Sequence, residues 1–144
     1  MNLPVTKSLL KIGEVASLSG LPVKTVRYYE EIGLLAPMVE RSQAGYRLFD
    51  GQIINRLAFI KRAQSLGLTL DEIRNILNVH DQGQLPCGEV KQHLQDKLTA
   101  ITQQIEALET LRSELQGLLS GWQESPPAHL ISQTICPNIQ DVKE

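Results

Sequence analysis

Three observations predict a mainly α-helical chain with a small head carrying a β-hairpin, one long helix and a short tail. Residues 9–78 alternate helix-compatible runs with Gly- and Pro-containing breaks. Residues 38–49 place two short extended runs around a polar turn, and residues 87–119 contain no proline. A length of 144 residues, 42% of them hydrophobic, suits one average domain or a small head joined to an extended element. Six aromatics among many Leu and Ile residues favour helix packing over a β-sandwich.

Charge divides the chain. Residues 1–67 hold nine Lys/Arg against five Asp/Glu, whereas residues 68–144 hold five against eleven. An anion-binding front half is the expectation, with a back half that meets something else. The N-terminal MNLPVTKSLLK lacks the apolar core of a signal peptide, and no stretch approaches the roughly 18 apolar residues of a membrane helix. A cytoplasmic protein without a membrane partner is expected. In a reducing compartment Cys87 and Cys136, 49 positions apart, are poor candidates for a structural disulfide.

Residues 9–19 read as a first helix, with Leu10, Ile12, Val15, Ala16 and Leu18 on one side, broken by Ser19-Gly20-Leu21-Pro22. A second short helix starts near Pro22 or Val23, because proline is tolerated in a first turn. Two short helices about a Gly-containing turn form a helix-turn-helix, whose second member enters the major groove by its N-terminal end. That helix carries Lys24, Thr25, Arg27, Tyr28 and Tyr29. Interleaved basic and aromatic groups suit a nucleic-acid backbone, since Lys and Arg neutralise phosphates while Tyr hydroxyls add neutral contacts.

The turn Ser42-Gln43-Ala44-Gly45, flanked by Arg41 and Arg47, reads as the tip of a wing lying on the DNA backbone. Asp50-Gly51 then opens a third helix over residues 52–66, with Ile53, Leu57, Ile60 and Ala63 as its apolar stripe and Arg56, Lys61 and Arg62 facing elsewhere. Thr69-Leu70-Asp71-Glu72 has the capping-box form and starts a fourth helix, its apolar side Leu70, Ile73, Ile76 and Leu77.

These pieces occur together in TVRYYEEIGLLAPMVERSQAGYRLFD followed by LAFIKRAQSLGLTLDEIRNIL. Over residues 11–78 the chain resembles the DNA-binding head of the MerR family, the mercury-resistance type of transcription regulators. The resemblance implies a winged helix-turn-helix in which Arg27, Tyr46 and Arg47 touch phosphate. Lys24 and Thr25, at the start of the reading helix, are the candidates for base edges. Tyr28 and Arg41 complete the expected DNA-binding set.

After the loop from Asp81 to Pro86, residues 87–119 are interrupted only by Gly88 and Gly117. Leu94, Leu98, Ile101, Ile105, Leu108, Leu115 and Leu119 follow steps of four and three, with Arg112 the polar member of the seam. Those 33 residues would span about 50 Å as a helix, too long for its seam to be buried on so small a head. A homodimer through this helix is expected, and the resemblance implies an antiparallel coiled coil. Residues 1–80 would form the DNA-binding domain, 81–119 the linker and dimerisation helix, and 120–144 an effector loop and tail.

Cys87 opens the long helix and Cys136 lies in the tail beyond its end. In an antiparallel pair each start lies beside the partner's end, which would bring the cysteines together across the dimer. Metal-sensing members of the family resemble this layout. Within that resemblance, cysteine at the position of Cys87 goes with divalent ions, and Ile135-Cys136-Pro137 resembles the Cys-Pro segment that ends mercury sensors. The chain departs from the pattern near residues 118–123, where those relatives carry another cysteine. Two thiolates satisfy a soft ion such as Hg²⁺, whereas Zn²⁺ generally takes four ligands. His129 is either a further ligand or a surface histidine. His93 is expected to face solvent and His80 to lie in the inter-helix loop.

The expected function is a transcription regulator, activator and repressor, that responds to a divalent soft metal ion (Hg²⁺, Pb²⁺, Cd²⁺, Zn²⁺ or Co²⁺). The resemblance implies that it distorts a palindromic promoter so that RNA polymerase can engage. A thiol redox sensor using Cys87 and Cys136, or an organic-ligand sensor of the same family, are the alternatives. No nucleophile–base constellation, phosphate-cradling Gly loop or carboxylate pair speaks for an enzyme.

Overall fold

The hairpin predicted as a wing is one part of a three-stranded sheet, joined by a strand from residues expected in the first helix. In the computed structural model, which describes residues 9–140, Leu9–Lys11 is strand β1, Val39–Arg41 is β2 and Arg47–Asp50 is β3. The antiparallel order is β1-β3-β2, with Leu10 opposite Phe49 and Phe49 opposite Val39. The helix expected over residues 9–19 therefore begins only at Ile12. Three residues are too few to display a period of two, and Leu10 fits either pattern until Phe49 gives it a neighbour. Leu18, expected on the apolar side, is exposed.

Helices α1 (Ile12–Ser19) and α2 (Val23–Glu31) enclose the expected turn, where Gly20 adopts φ +73 as the C-cap of α1. Pro22 precedes α2 in extended backbone, and its carbonyl accepts from the amides of Thr25 and Val26. At the wing tip Gly45 has φ +88, a left-handed conformation that costs a side-chain-bearing residue about 1 kcal/mol. Helix α3 (Ile53–Ser65) follows the Asp50 carboxylate, which accepts from the Gln52 amide at 2.9 Å. Thr69 and Glu72 cap α4 (Leu70–Asp81) reciprocally, as the sequence predicts.

The chain divides into two compact units, one ending at Lys97 and the other starting at Leu98. In the first, Val15, Val26, Leu34, Leu35, Phe49, Ile53, Leu57, Ile60, Ile73 and Ile76 are fully buried. At about 25 cal/mol per Å², each such side chain contributes roughly 1.5–3 kcal/mol. The predicted stripe of α3 is entirely within this core, but Arg56 is there too, contrary to its expected outward direction. Arg56 is tolerated because its donors are used: Nε gives to the Leu34 carbonyl at 2.6 Å, and Nη1 and Nη2 give to Asp81.

Helix α5 runs from Cys87 to Ser120, and its first turns belong to the head: Val90 and Leu94 pack against the core. Leu94 thus leaves the predicted seam. His93, expected in solvent, lies between Asn75 and Glu72, and Lys97 reaches Glu72 at 2.7 Å. His80 and Asp81 are the last two residues of α4 rather than loop. In the second unit Leu98, Ile101, Ile105, Leu108, Leu111, Leu115 and Leu119 are exposed along α5. Among the described residues no helix is long and apolar enough to cross a membrane. The part of the tail read from the sequence beyond Gln140 lies outside the described residues.

Candidate nucleic-acid interface and thiol positions

The reading helix divides its two tyrosines between core and surface. Tyr29 is buried and its hydroxyl donates to Gln64 at 2.7 Å, so it anchors α2 on α3. Burial raises its pKa, against the lowering influence of the Gln64 bond. Tyr28, one residue earlier, is half exposed, and Arg27 and Lys24 are exposed on the same helix. Thr25 is partly buried in the first turn.

Between the helix and the wing lies an open concavity of about 370 Å³ lined by Lys11, Ile12, Arg27, Arg41, Gly45, Tyr46 and Arg47. Four cationic side chains from β1, α2, β2 and β3 therefore border one groove. The geometry of the wing explains two of them: Arg41 and Arg47 are direct partners across β2 and β3, one on each side of the tip. Arg41 Nη1 donates to the Gly45 carbonyl at 2.8 Å, closing the tip. Arg47 Nε stands 3.1 Å from Glu30 Oε1 on α2, close enough for an ion pair but not aligned as a hydrogen bond.

Lys11 is the groove residue that sequence reasoning did not single out. Its ammonium lies 5.3 Å from the centroid of the Tyr46 ring, within cation–π reach. The signal was absent because Lys11 reaches the wing only through the pairing of β1 with β3. Of the expected DNA-binding residues, the groove gathers Arg27, Arg41, Tyr46 and Arg47, whereas Lys24, Thr25 and Tyr28 are on α2 outside its lining.

The thiols occupy two different units. Cys87 is the exposed first residue of α5. Cys136 is partly buried in the tail, where a compact set of bonds holds the chain. The Gln140 side-chain oxygen accepts from the amides of Ile135 and Cys136, at 2.6 and 2.9 Å. Asn138 and Gln123 exchange two bonds, the Gln123 amide giving to Asn138 Oδ1 and Asn138 Nδ2 giving to the Gln123 carbonyl. His129 is exposed in a short 3-10 segment, Ala128–Ser132. Among the described residues no group of three or more His, Cys, Asp or Glu in this one chain could hold a metal ion. Two thiols suit a soft ion of low coordination, or a site that draws ligands from a second copy.

A helix-turn-helix with a basic groove between its second helix and a β-wing defines a winged helix-turn-helix DNA-binding protein. The description "MerR HTH family regulatory protein" matches residues 10–79, and "MerR, DNA binding" matches residues 54–118. The mercuric resistance operon regulatory protein of Bacillus cereus is 40% identical over 108 residues, 75% of this chain and 81% of that protein. The helix-turn-helix transcriptional regulator HmrR of Rhizobium leguminosarum bv. viciae is 33% identical over 135 residues, 94% of this chain and 98% of that protein. A solved transcription regulator from Ralstonia metallidurans, in complex with lead(II), is similar with a TM-score of 0.68 and 34% identity, covering 87% of this chain and 99% of that one. The chain belongs to the MerR family, and it is a transcription regulator rather than an enzyme.

Proposed function

We propose that this regulator works in the cytoplasm as a homodimer that binds a palindromic promoter and responds to a divalent soft metal ion. The observation that carries the reading is the combination of a basic groove on the head with one thiol at the first residue of α5 and a second in a hydrogen-bonded tail turn. Relatives named for mercuric resistance and solved with lead(II) support a metal as effector.

In this reading Arg27, Arg41, Tyr46 and Arg47, joined by Lys11, meet backbone phosphates, Tyr28 adds a contact from its exposed edge, and Lys24 and Thr25 approach base edges. Residues 1–80 bind DNA, 81–119 link and dimerise, and 120–144 close the effector site. The exposed apolar row of α5 from Leu98 to Leu119 would pair with a second copy. Antiparallel pairing would set Cys87 of one chain near the partner's tail, so that Cys87 and Cys136 hold the ion across the interface, with His129 as a third ligand. Hg²⁺ fits two thiolates; Pb²⁺, Cd²⁺, Zn²⁺ and Co²⁺ would need the further ligands. Bound metal would stabilise one arrangement of the two heads, and the DNA held by them would be twisted or bent until RNA polymerase engages the promoter. Bending DNA costs about 1–6 kcal/mol and allosteric coupling typically amounts to about 1–3 kcal/mol, so the two overlap in scale.

The test is transcription from the bound promoter across salts of these five ions, with Cys87→Ser and Cys136→Ser beside wild type. One ion should induce the wild type, and both variants should lose the response while retaining DNA binding. Absence of micromolar binding for every ion in thiol-competition titration would overturn the metal reading. A metal-independent, oxidant-driven cross-link between Cys87 and Cys136 would replace it with a redox switch.

A further inference from the structure

A carboxylate stands beside the groove where phosphate is to bind. Glu30 is partly buried on α2, its side chain 19% exposed, and its Oε1 is 3.1 Å from Arg47 Nε. By charge alone an acid here opposes an approaching phosphate, so its position against Arg47, one of the four cations of the groove, calls for another role. The wing provides one. Arg41 and Arg47 are cross-strand partners, and like charges directly opposite each other repel. Arg41 is held by the Gly45 carbonyl at the tip, leaving Arg47 to be restrained from the other side.

Glu30 supplies that restraint from the reading helix. The contact uses Arg47 Nε, which is buried, while Arg47 also lines the groove and its two Nη groups make no hydrogen bond among the described residues. A guanidinium ion-paired on its Nε side presents its Nη donors as a planar fork of the kind that pairs with phosphate oxygens. The same contact joins β3 of the wing to α2, tying the angle of one DNA-facing element to the other. We propose that Glu30 is a positioning residue for DNA binding: it holds Arg47 so that the Nη pair faces a backbone phosphate, and it locks the wing to the reading helix. This rests on the reading of the groove as the DNA interface.

The test uses the full chain and a duplex selected by the wild-type protein from a random-sequence library, with affinity followed by fluorescence anisotropy over a salt series. Glu30→Gln makes the protein more positive, yet it should weaken binding about tenfold, the scale of losing the charge-assisted contact from Arg47 to a phosphate. Its salt slope should become shallower, towards that of Arg47→Ala. The double variant Glu30→Gln/Arg47→Ala should bind no more weakly than Arg47→Ala alone. Arg47→Lys, which keeps the charge and leaves Glu30 in place, should also lose affinity because the fork is gone. Tighter or unchanged binding by Glu30→Gln, with Arg47→Ala weakened, would overturn the positioning role and leave Glu30 as a simple repulsive charge. Wild-type affinity for Arg47→Lys would overturn it as well. Wild-type affinity and slope for Arg47→Ala would overturn the interface reading itself.

Discussion

Arg56 on α3 gives both terminal nitrogens to the Asp81 carboxylate at the end of α4, at 2.7 and 2.9 Å, while its Nε holds the Leu34 carbonyl just beyond the reading helix. One buried guanidinium thus joins the segment after α2 to the last residue before the loop leading to Cys87. The Leu34 amide in turn donates to the Tyr29 carbonyl of α2, continuing the connection into the reading helix.

Breaking that connection should be costly. Arg56→Leu leaves the Leu34 carbonyl and the Asp81 carboxylate without their partner, and a loss of about 3 kcal/mol is expected in urea unfolding. Asp81→Asn should cost less, because the Asp81 side chain is a quarter exposed and Arg56 keeps its bond to Leu34. Losses below about 1 kcal/mol for Arg56→Leu would mean that the network contributes little.

Acid should loosen α5 from α4. Glu72 has its pKa lowered to about 2, chiefly by the Lys97 ammonium and then by the Thr69 amide. A depressed carboxylate contributes stability that is complete above its unfolded pKa and lost as pH falls through its folded pKa. The contribution is therefore full above about 4.5 and disappears on approaching 2. Thermal unfolding should show a shallower pH dependence in that window for Glu72→Gln than for wild type, and parallel curves would reject the assignment.

Lys11 should behave as a phosphate contact. Lys11→Ala and Arg41→Ala are each expected to weaken binding to specific and unrelated duplexes alike, lowering the salt slope by about one unit. Lys24→Ala and Thr25→Ala should instead cost about 1–3 kcal/mol on the selected duplex and relax its sequence preference. An equal loss on all sequences from Thr25→Ala would move that residue from base edge to backbone.

The exposed row on α5 should govern assembly. Ile105→Asp places a charge in the middle of the row, among Ile101, Leu108 and Leu111, and sedimentation should show dissociation to monomers with half-site DNA affinity only. The head should stay folded, since its core closes on α5 at Val90 and Leu94. A dimer unaffected by Ile105→Asp would require a different interface.

The sequence alone determined those features whose causes are local. Helical periodicity marked α2 through α5, the Thr69–Glu72 box started α4, and Gly45 marked the wing tip, because each depends on residues within four positions of one another. The winged helix-turn-helix was legible once the family resemblance joined these local signals. Tertiary structure decided what periodicity does not encode. Tyr29 finds Gln64 35 residues away, Arg56 finds Asp81 25 residues away, and β1 exists only because β3 offers it an edge. Arg56 looked like a solvated charge because nothing near it in sequence reveals the partners that make its burial tolerable. The groove follows the same physics: Lys11, Arg27, Arg41 and Arg47 become one surface only when the third strand and the reading helix meet around the wing.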